Sequence, residues 1–258
     1  MKKQLEMFKK YDQAASKITR DLEYAPYNWD NLPSTMSVHW LAYSQMFKEF
    51  SREISNAISK FVNLIYQLDS WHLAFEELSS GDKFEAVHEF VDTIGTVALN
   101  LPYVIRSRFI FAVAHLCHQA NQAFDKSNWV DDFPLDHEVY FETADVYGSR
   151  WKSYNKLKRL LEGIANRRFR EATHQFRDKY NHRFSQRIEF GQTGFVTRIV
   201  DKNSRVSYGF GYFEPLTLEQ LVPLLKDQYH ACFSAFRQFQ ELIQEHVEAI
   251  EFTGENND

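Results

Sequence analysis

The sequence predicts an all-α fold: a multi-helix bundle with one β-hairpin inserted before its last helix. Three observations lead there. Helix breakers are scarce, with 9 Gly and 6 Pro among 258 residues, and few breakers with many long side chains favour helices over strands and turns. Apolar residues return at steps of three and four through most of the chain, the spacing of one helix face. One stretch alone, about 195–213, changes to a β-like pattern. With 44% hydrophobic residues, a chain of this length can bury a core without staples. No repeat, low-complexity linker or clear domain boundary interrupts it, so residues 1–258 read as a single helical domain.

The elements follow in order. Leu5, Phe8, Tyr11, Ala15, Ile18 and Leu22 mark a helix over 3–24. The stretch YAPYNWDNLPS, with two prolines, is a loop over 24–34. Phe47, Phe50, Ile54, Ile58, Phe61, Ile65 and Leu68 mark a long helix over about 36–68. Ser80-Gly81-Asp82 is a turn, and Asp82 with Glu85 three residues on predicts a helix starting near Lys83. Pro102 punctuates it, and 103–125 reads as a second apolar helix. A loop spans 129–136. A helical pattern then runs from about 138 to 183, with a break expected near Gly148. FVTRIV and RVSYGFGYF, joined by DKNS, predict the hairpin at about 195–213. Thr217 with Gln220 forms a capping box that opens the last helix. Its face is Leu218, Leu221, Leu225, Tyr229, Cys232, Phe236, Ile243 and Val247, and its FTGENND tail is expected to fray.

Composition bounds the function. Cys117 and Cys232 sit in apolar helical runs, where buried reduced thiols are expected rather than a disulfide framework. The N-terminus is too polar for a signal peptide, and FIFAVAHLC at 109–117 is about half a membrane span. A soluble, cytoplasmic protein without membrane contact is the expectation. The net charge of −5 argues against general nucleic-acid binding. Residues 150–187, however, carry twelve basic residues against three acidic ones, a net +9 that leaves −14 on the remainder. Such a basic stripe is either a phosphate-facing surface or a face paired with acidic helices.

Few motifs carry chemistry. There is no phosphate-cradling glycine loop, no G-x-S-x-G and no C-x-x-C. His115 and His118, three apart, have metal-ligand spacing but no further ligand pattern, so they read as core or interface histidines, and no metal or cofactor is expected. The densest polar cluster is FRDKYNHRF, residues 176–184. Asp178 and His182 are four apart and share a helix face, so the carboxylate can orient the imidazole. Arg177 and Asn181 share the neighbouring face. Arg177 and His182 are five apart, about 140° around a helix. They converge on one ligand only at a helix end or across a dimer axis. A histidine that moves a proton and an arginine that clamps phosphoryl oxygens are the parts that RNA cleavage needs without a metal.

Arg177, Asp178 and His182 resemble the motif of the HEPN superfamily, helical bundles with Arg-x4–6-His and often Asn, Asp or His directly after the arginine. Four Arg–His pairs of this chain fit the spacing: Arg108–His115, Arg167–His174, Arg168–His174 and Arg177–His182. Only the last has an acidic or amide residue after its arginine. The resemblance covers the motif and the all-α character, and Phe184 stands where some toxin members have a tyrosine. It implies a metal-independent endoribonuclease of toxin–antitoxin or defence type that acts as a homodimer on RNA. His182 would be the proton-transfer group, Arg177 the phosphate clamp, and Asp178 and Asn181 the positioning residues. Arg167, Arg168, Arg170, Lys179 and Arg183 are the expected RNA contacts. An antitoxin or other protein partner is a further implication. The alternative is a non-catalytic helical module that binds nucleotides, RNA or another protein.

Overall fold

The computed structural model describes residues 2–29, 32–33, 36–125 and 128–255. Its helices, in chain order, are α1 (Lys2–Ala15), α2 (Leu41–Phe75), α3 (Ser80–Ala86), α4 (Asp92–Ala120), α5 (Phe141–Gly148), α6 (Tyr154–Gly163), α7 (Arg167–Ala172) and α8 (Phe176–His182). Strands β1 (Val196–Val200) and β2 (Val206–Phe210) follow, and α9 (Leu218–Glu255) closes the chain. The protein is all-α, and the antiparallel β1–β2 hairpin is the one sheet among the described residues. It stands immediately before the last helix, as predicted.

The chain divides into two compact units. Unit 1 takes Met1–Leu22, Phe61–Leu101 and Asn166–Asp227; unit 2 takes Glu23–Lys60, Pro102–Ala165 and Gln228–Asp258. The long helices α2, α4 and α9 each give one end to each unit.

Unit 1 is built on Phe61, Ile65, Leu68 and Trp71 of α2, all buried. Trp71 packs between Tyr11 of α1 and Phe90, with ring centroids 4.8 and 5.2 Å away. Phe169 of α7, Phe176 of α8 and Leu221 and Leu225 of α9 are buried in the same unit. Lys226 joins Asp69 at 2.7 Å.

Unit 2 holds the other core. Trp29 packs edge-on against Phe47, Phe236 and Phe239. His246 of α9 is fully buried and bonds the Tyr43 hydroxyl through Nδ1 at 3.0 Å; its Nε2 lies 3.5 Å from the Cys117 thiol. Trp151 packs on the same imidazole and donates to Asn121 Oδ1 at 3.0 Å. Cys117 and Cys232 are buried free thiols.

Several boundaries differ from the sequence reading, each for a local or tertiary reason. The first helix stops at Ala15 rather than near residue 24. Ser16 turns its hydroxyl onto the Gln13 carbonyl, and Leu22 N–H is taken by the Tyr66 hydroxyl at 2.6 Å, so the chain leaves the helix. The second helix starts with a 3-10 turn at Val38–Trp40 and runs on to Phe75. Ser79, not Asp82, is the cap of α3: its hydroxyl accepts from Asp82 N–H and donates to the Asp82 carboxylate. Pro102 does not end the helix. It lies buried inside α4, which follows α3 through a π turn at Val87–Val91, because its flanks Leu99, Leu101 and Ile105 are held in apolar packing that outweighs one lost backbone bond. The division between units nonetheless falls between Leu101 and Pro102.

The stretch 138–183 is four short helices rather than one with a single break. Gly148 closes α5 because the Tyr154 ring lies where a Cβ would be, 2.6 Å away. Ala165 sits at φ 49°, with its N–H on Gln228 Oε1, and separates α6 from α7. His174 and Gln175, at φ 51° and 58°, separate α7 from α8. The capping box of α9 forms as predicted, Thr217 N–H to Gln220 Oε1 and Gln220 N–H to Thr217 Oγ1, both 3.3 Å. All eight residues of its predicted face are buried. Of the tail expected to fray, α9 continues to Glu255 and residues 256–258 lie outside the described residues.

Candidate functional site

The cluster singled out by sequence lies in unit 1 and forms its own helix. Asn166 caps α7 by accepting from Phe169 N–H at 3.0 Å. The α7 end is tied off by Gln175 N–H to the Arg170 carbonyl at 2.7 Å and by the Thr173 hydroxyl to the Phe169 carbonyl at 2.8 Å. Two consecutive left-handed residues without glycine, His174 and Gln175, each cost about 1–2 kcal/mol. They redirect the backbone so that α8 starts afresh at Phe176, whose buried ring anchors it.

α8 has seven residues and ends at His182; Arg183 leaves the helix at φ −149°. The helix end inferred from the sequence is therefore present. Arg177, Asp178, Asn181 and His182 are all exposed. The side chains of Asp178, Asn181 and His182 make no hydrogen bond or ion pair among the described residues, so the anticipated Asp178–His182 contact is not formed in the single chain. Arg177 and His182 point about 140° apart on this helix, and one α8 does not direct both at one small ligand.

The expected RNA contacts separate into three kinds. Arg167 is held by Glu171, Nε to Oε1 at 2.6 Å. Arg168, Arg170 and Arg183 are exposed. Lys179 is half-buried and places its ammonium over the Phe213 ring, 4.3 Å from the centroid, a cation–π contact. Burial first and the Arg183 charge second bring its pKa below the usual lysine value. Burial, then Lys179, likewise lowers His174. Lys179 thus ties α8 to the root of the hairpin, a role the sequence did not announce.

The basic stripe is split between the units. Arg167 to Arg187 belong to unit 1, while Lys152 and Lys156 belong to unit 2. There they line an open cleft of about 570 Å³ with Arg237 and Glu241 of α9.

His115 and His118 serve packing. His118 sits against Trp129, Phe133 and Tyr147 and meets Asp131 at 3.0 Å. His115 lies 3.4 Å from Asp136, and burial, ahead of the opposing Asp136 charge, lowers its pKa. These contacts fix the 129–140 loop to α4. Among the described residues no group of three or more His, Cys, Asp or Glu is placed to hold a metal.

Sequence reasoning missed His246. The signal was available: His246 falls three residues after Ile243 on the apolar α9 face, where burial keeps it neutral, its pKa pushed down to about 3.

Comparison with family models, curated proteins and solved structures finds no match.

Proposed function

We propose that this protein is a HEPN-like, metal-independent endoribonuclease of toxin–antitoxin or defence type, cytoplasmic, acting as a homodimer in which two α8 helices build one composite site. The observation that carries the reading is α8 itself. A helix of seven residues ends on His182 and offers Asp178, Asn181 and His182 to solvent without structural partners. Three polar side chains that do not stabilise their own unit are available for a ligand.

The chemistry follows from the residue types. His182 takes the proton of an RNA 2′-hydroxyl, and that oxygen attacks the adjacent phosphorus. The bond from phosphorus to the 5′-oxygen breaks, the leaving oxygen receives a proton, and a 2′,3′-cyclic phosphate and a 5′-hydroxyl result. Arg177 balances the charge that builds on the phosphoryl oxygens. The divergence of Arg177 and His182 favours the dimer, because a two-fold axis sets Arg177 of one protomer opposite His182 of its partner.

A localisation in the cytoplasm belongs to the same proposal. The helical stretch Ser80–Ala123 is long and apolar enough to cross a membrane, but half of its most apolar window is buried inside the protein, which favours a core role.

The test is cleavage of a mixed RNA pool in EDTA by wild type, Arg177→Ala and His182→Ala. Cleavage leaving 2′,3′-cyclic phosphate ends, reduced about 10²–10⁴-fold in each variant, is expected, with a dimer in sedimentation. Folded wild-type protein that cleaves no RNA overturns the nuclease reading in favour of a binding module.

A further inference from the structure

The β1–β2 hairpin is exposed on both faces, and one of them is apolar. Its register pairs Val196 with Phe210, Arg198 with Tyr208 and Val200 with Val206. Directly opposed residues share a face, so these six make one side, and Thr197, Gly209, Ile199 and Ser207 the other. The first side is apolar and aromatic around a single arginine, yet Phe210 is 85% exposed and Tyr208 60%. Burial of such a face normally holds a two-stranded ribbon in place, and an exposed apolar patch of this kind marks an interaction site.

Charge identifies the occupant. From Val196 to Phe210 the hairpin itself carries Arg198, Lys202 and Arg205 against Asp201, a net +2. A second copy of the same face would bring like charge onto like charge, whereas a polyanion is attracted. Flat rings set two residues apart on β2, about 7 Å, beside a guanidinium, are what successive nucleobases stack on. The surface is also continuous with the motif helix: Lys179 of α8 sits on Phe213 at the hairpin root, and Phe213 pairs with Thr193 just ahead of β1.

We infer that this hairpin face is a stacking platform for single-stranded RNA, with Tyr208 and Phe210 taking one base each and Arg198 a neighbouring phosphate or base plane. The inference rests on the RNA reading above and adds the form of RNA, an unpaired strand, and the surface that holds it.

Binding can be separated from cleavage. A labelled 12-nucleotide 2′-O-methyl RNA cannot be cut by attack of its own 2′-oxygen, and its fluorescence anisotropy reports affinity for the full-length protein. The paired variant Tyr208→Ala/Phe210→Ala is expected to bind at least ten-fold more weakly. Tyr208→Phe/Phe210→Tyr, which keeps both rings, stays within about two-fold of wild type. Arg198→Ala lowers the salt slope by about one. All these side chains are exposed, and circular dichroism checks that the fold is kept.

Wild-type binding that the paired alanine variant does not weaken overturns the platform, even if the RNA pool is cleaved. Binding to phosphatidylserine vesicles lost in that variant, with RNA binding kept, assigns the face to a membrane instead. A wild-type dimer that becomes monomeric in that variant, with RNA binding kept, assigns it to self-association. RNA binding that depends on the rings without any cleavage of the pool sustains the platform and removes only the nuclease activity.

Discussion

His246 makes the protein sensitive to acid. The imidazole is fully buried between Tyr43, Cys117 and Trp151, and burial pushes its pKa down to about 3. In the unfolded chain it titrates near 6.5. Between those values the unfolded state binds a proton that the native state does not, so stability falls as pH falls. The contribution is fully present above about pH 6.5 and is lost down to about pH 3. Each unit of pH in that window is worth about 1.4 kcal/mol, so moving from pH 7 to pH 5 costs about 2 kcal/mol through this residue. His246→Gln keeps a hydrogen-bonding partner for Tyr43 and removes the titration. Urea unfolding at pH 7 and pH 5 would compare the two proteins. Wild type is expected to lose about 2 kcal/mol more than His246→Gln across that interval, since carboxylate titrations are common to both and cancel in the difference. An equal loss in the two proteins would refute the reasoning.

Two further stability outcomes follow from unit 2. Glu245 accepts the N–H groups of Lys152 and Ser153, both at 2.9 Å, with its two oxygens; Glu245→Gln leaves one carbonyl oxygen for two donors, and thermal melts should show a loss of about 1–3 kcal/mol. At Gly148 a methyl group would lie 2.6 Å from the Tyr154 ring, and that ring is pinned by its hydroxyl on Asp145, also 2.6 Å. Gly148→Ala should therefore cost about 1–3 kcal/mol, while Gly163→Ala, with open space around the new methyl, should be neutral or slightly stabilising in the same melts.

What the sequence disclosed was what local chemistry controls. The face of α9, the Thr217–Gln220 box and the hairpin all follow from neighbours within a few residues. The misplaced boundaries have distant or unusual causes. The end of α1 involves Tyr66, 44 residues from Leu22, and no periodicity near Leu22 signals it. The breaks at Ala165, His174 and Gln175 use left-handed backbone without glycine, so the usual punctuation is missing. The same holds at the candidate site. That Arg177 to His182 share one terminal helix turn was legible from spacing, but the attachment of Lys179 to Phe213, 34 residues on, was not.

The way three helices are shared has a consequence for synthesis. Each unit is assembled from three separate stretches of chain. Unit 1 lacks part of its core until Asp227 has been made, and unit 2 until the stretch after Gln228 has followed. At about 5–20 residues per second, the nascent chain therefore waits on the ribosome with both apolar interiors open for most of translation. Unit 1 receives its last stretch just ahead of unit 2, on the same helix α9. Stalling or truncation anywhere before α9 would leave two unfinished cores instead of one finished domain and one missing one. Cells making this protein would thus be expected to shield the growing chain rather than release it unit by unit.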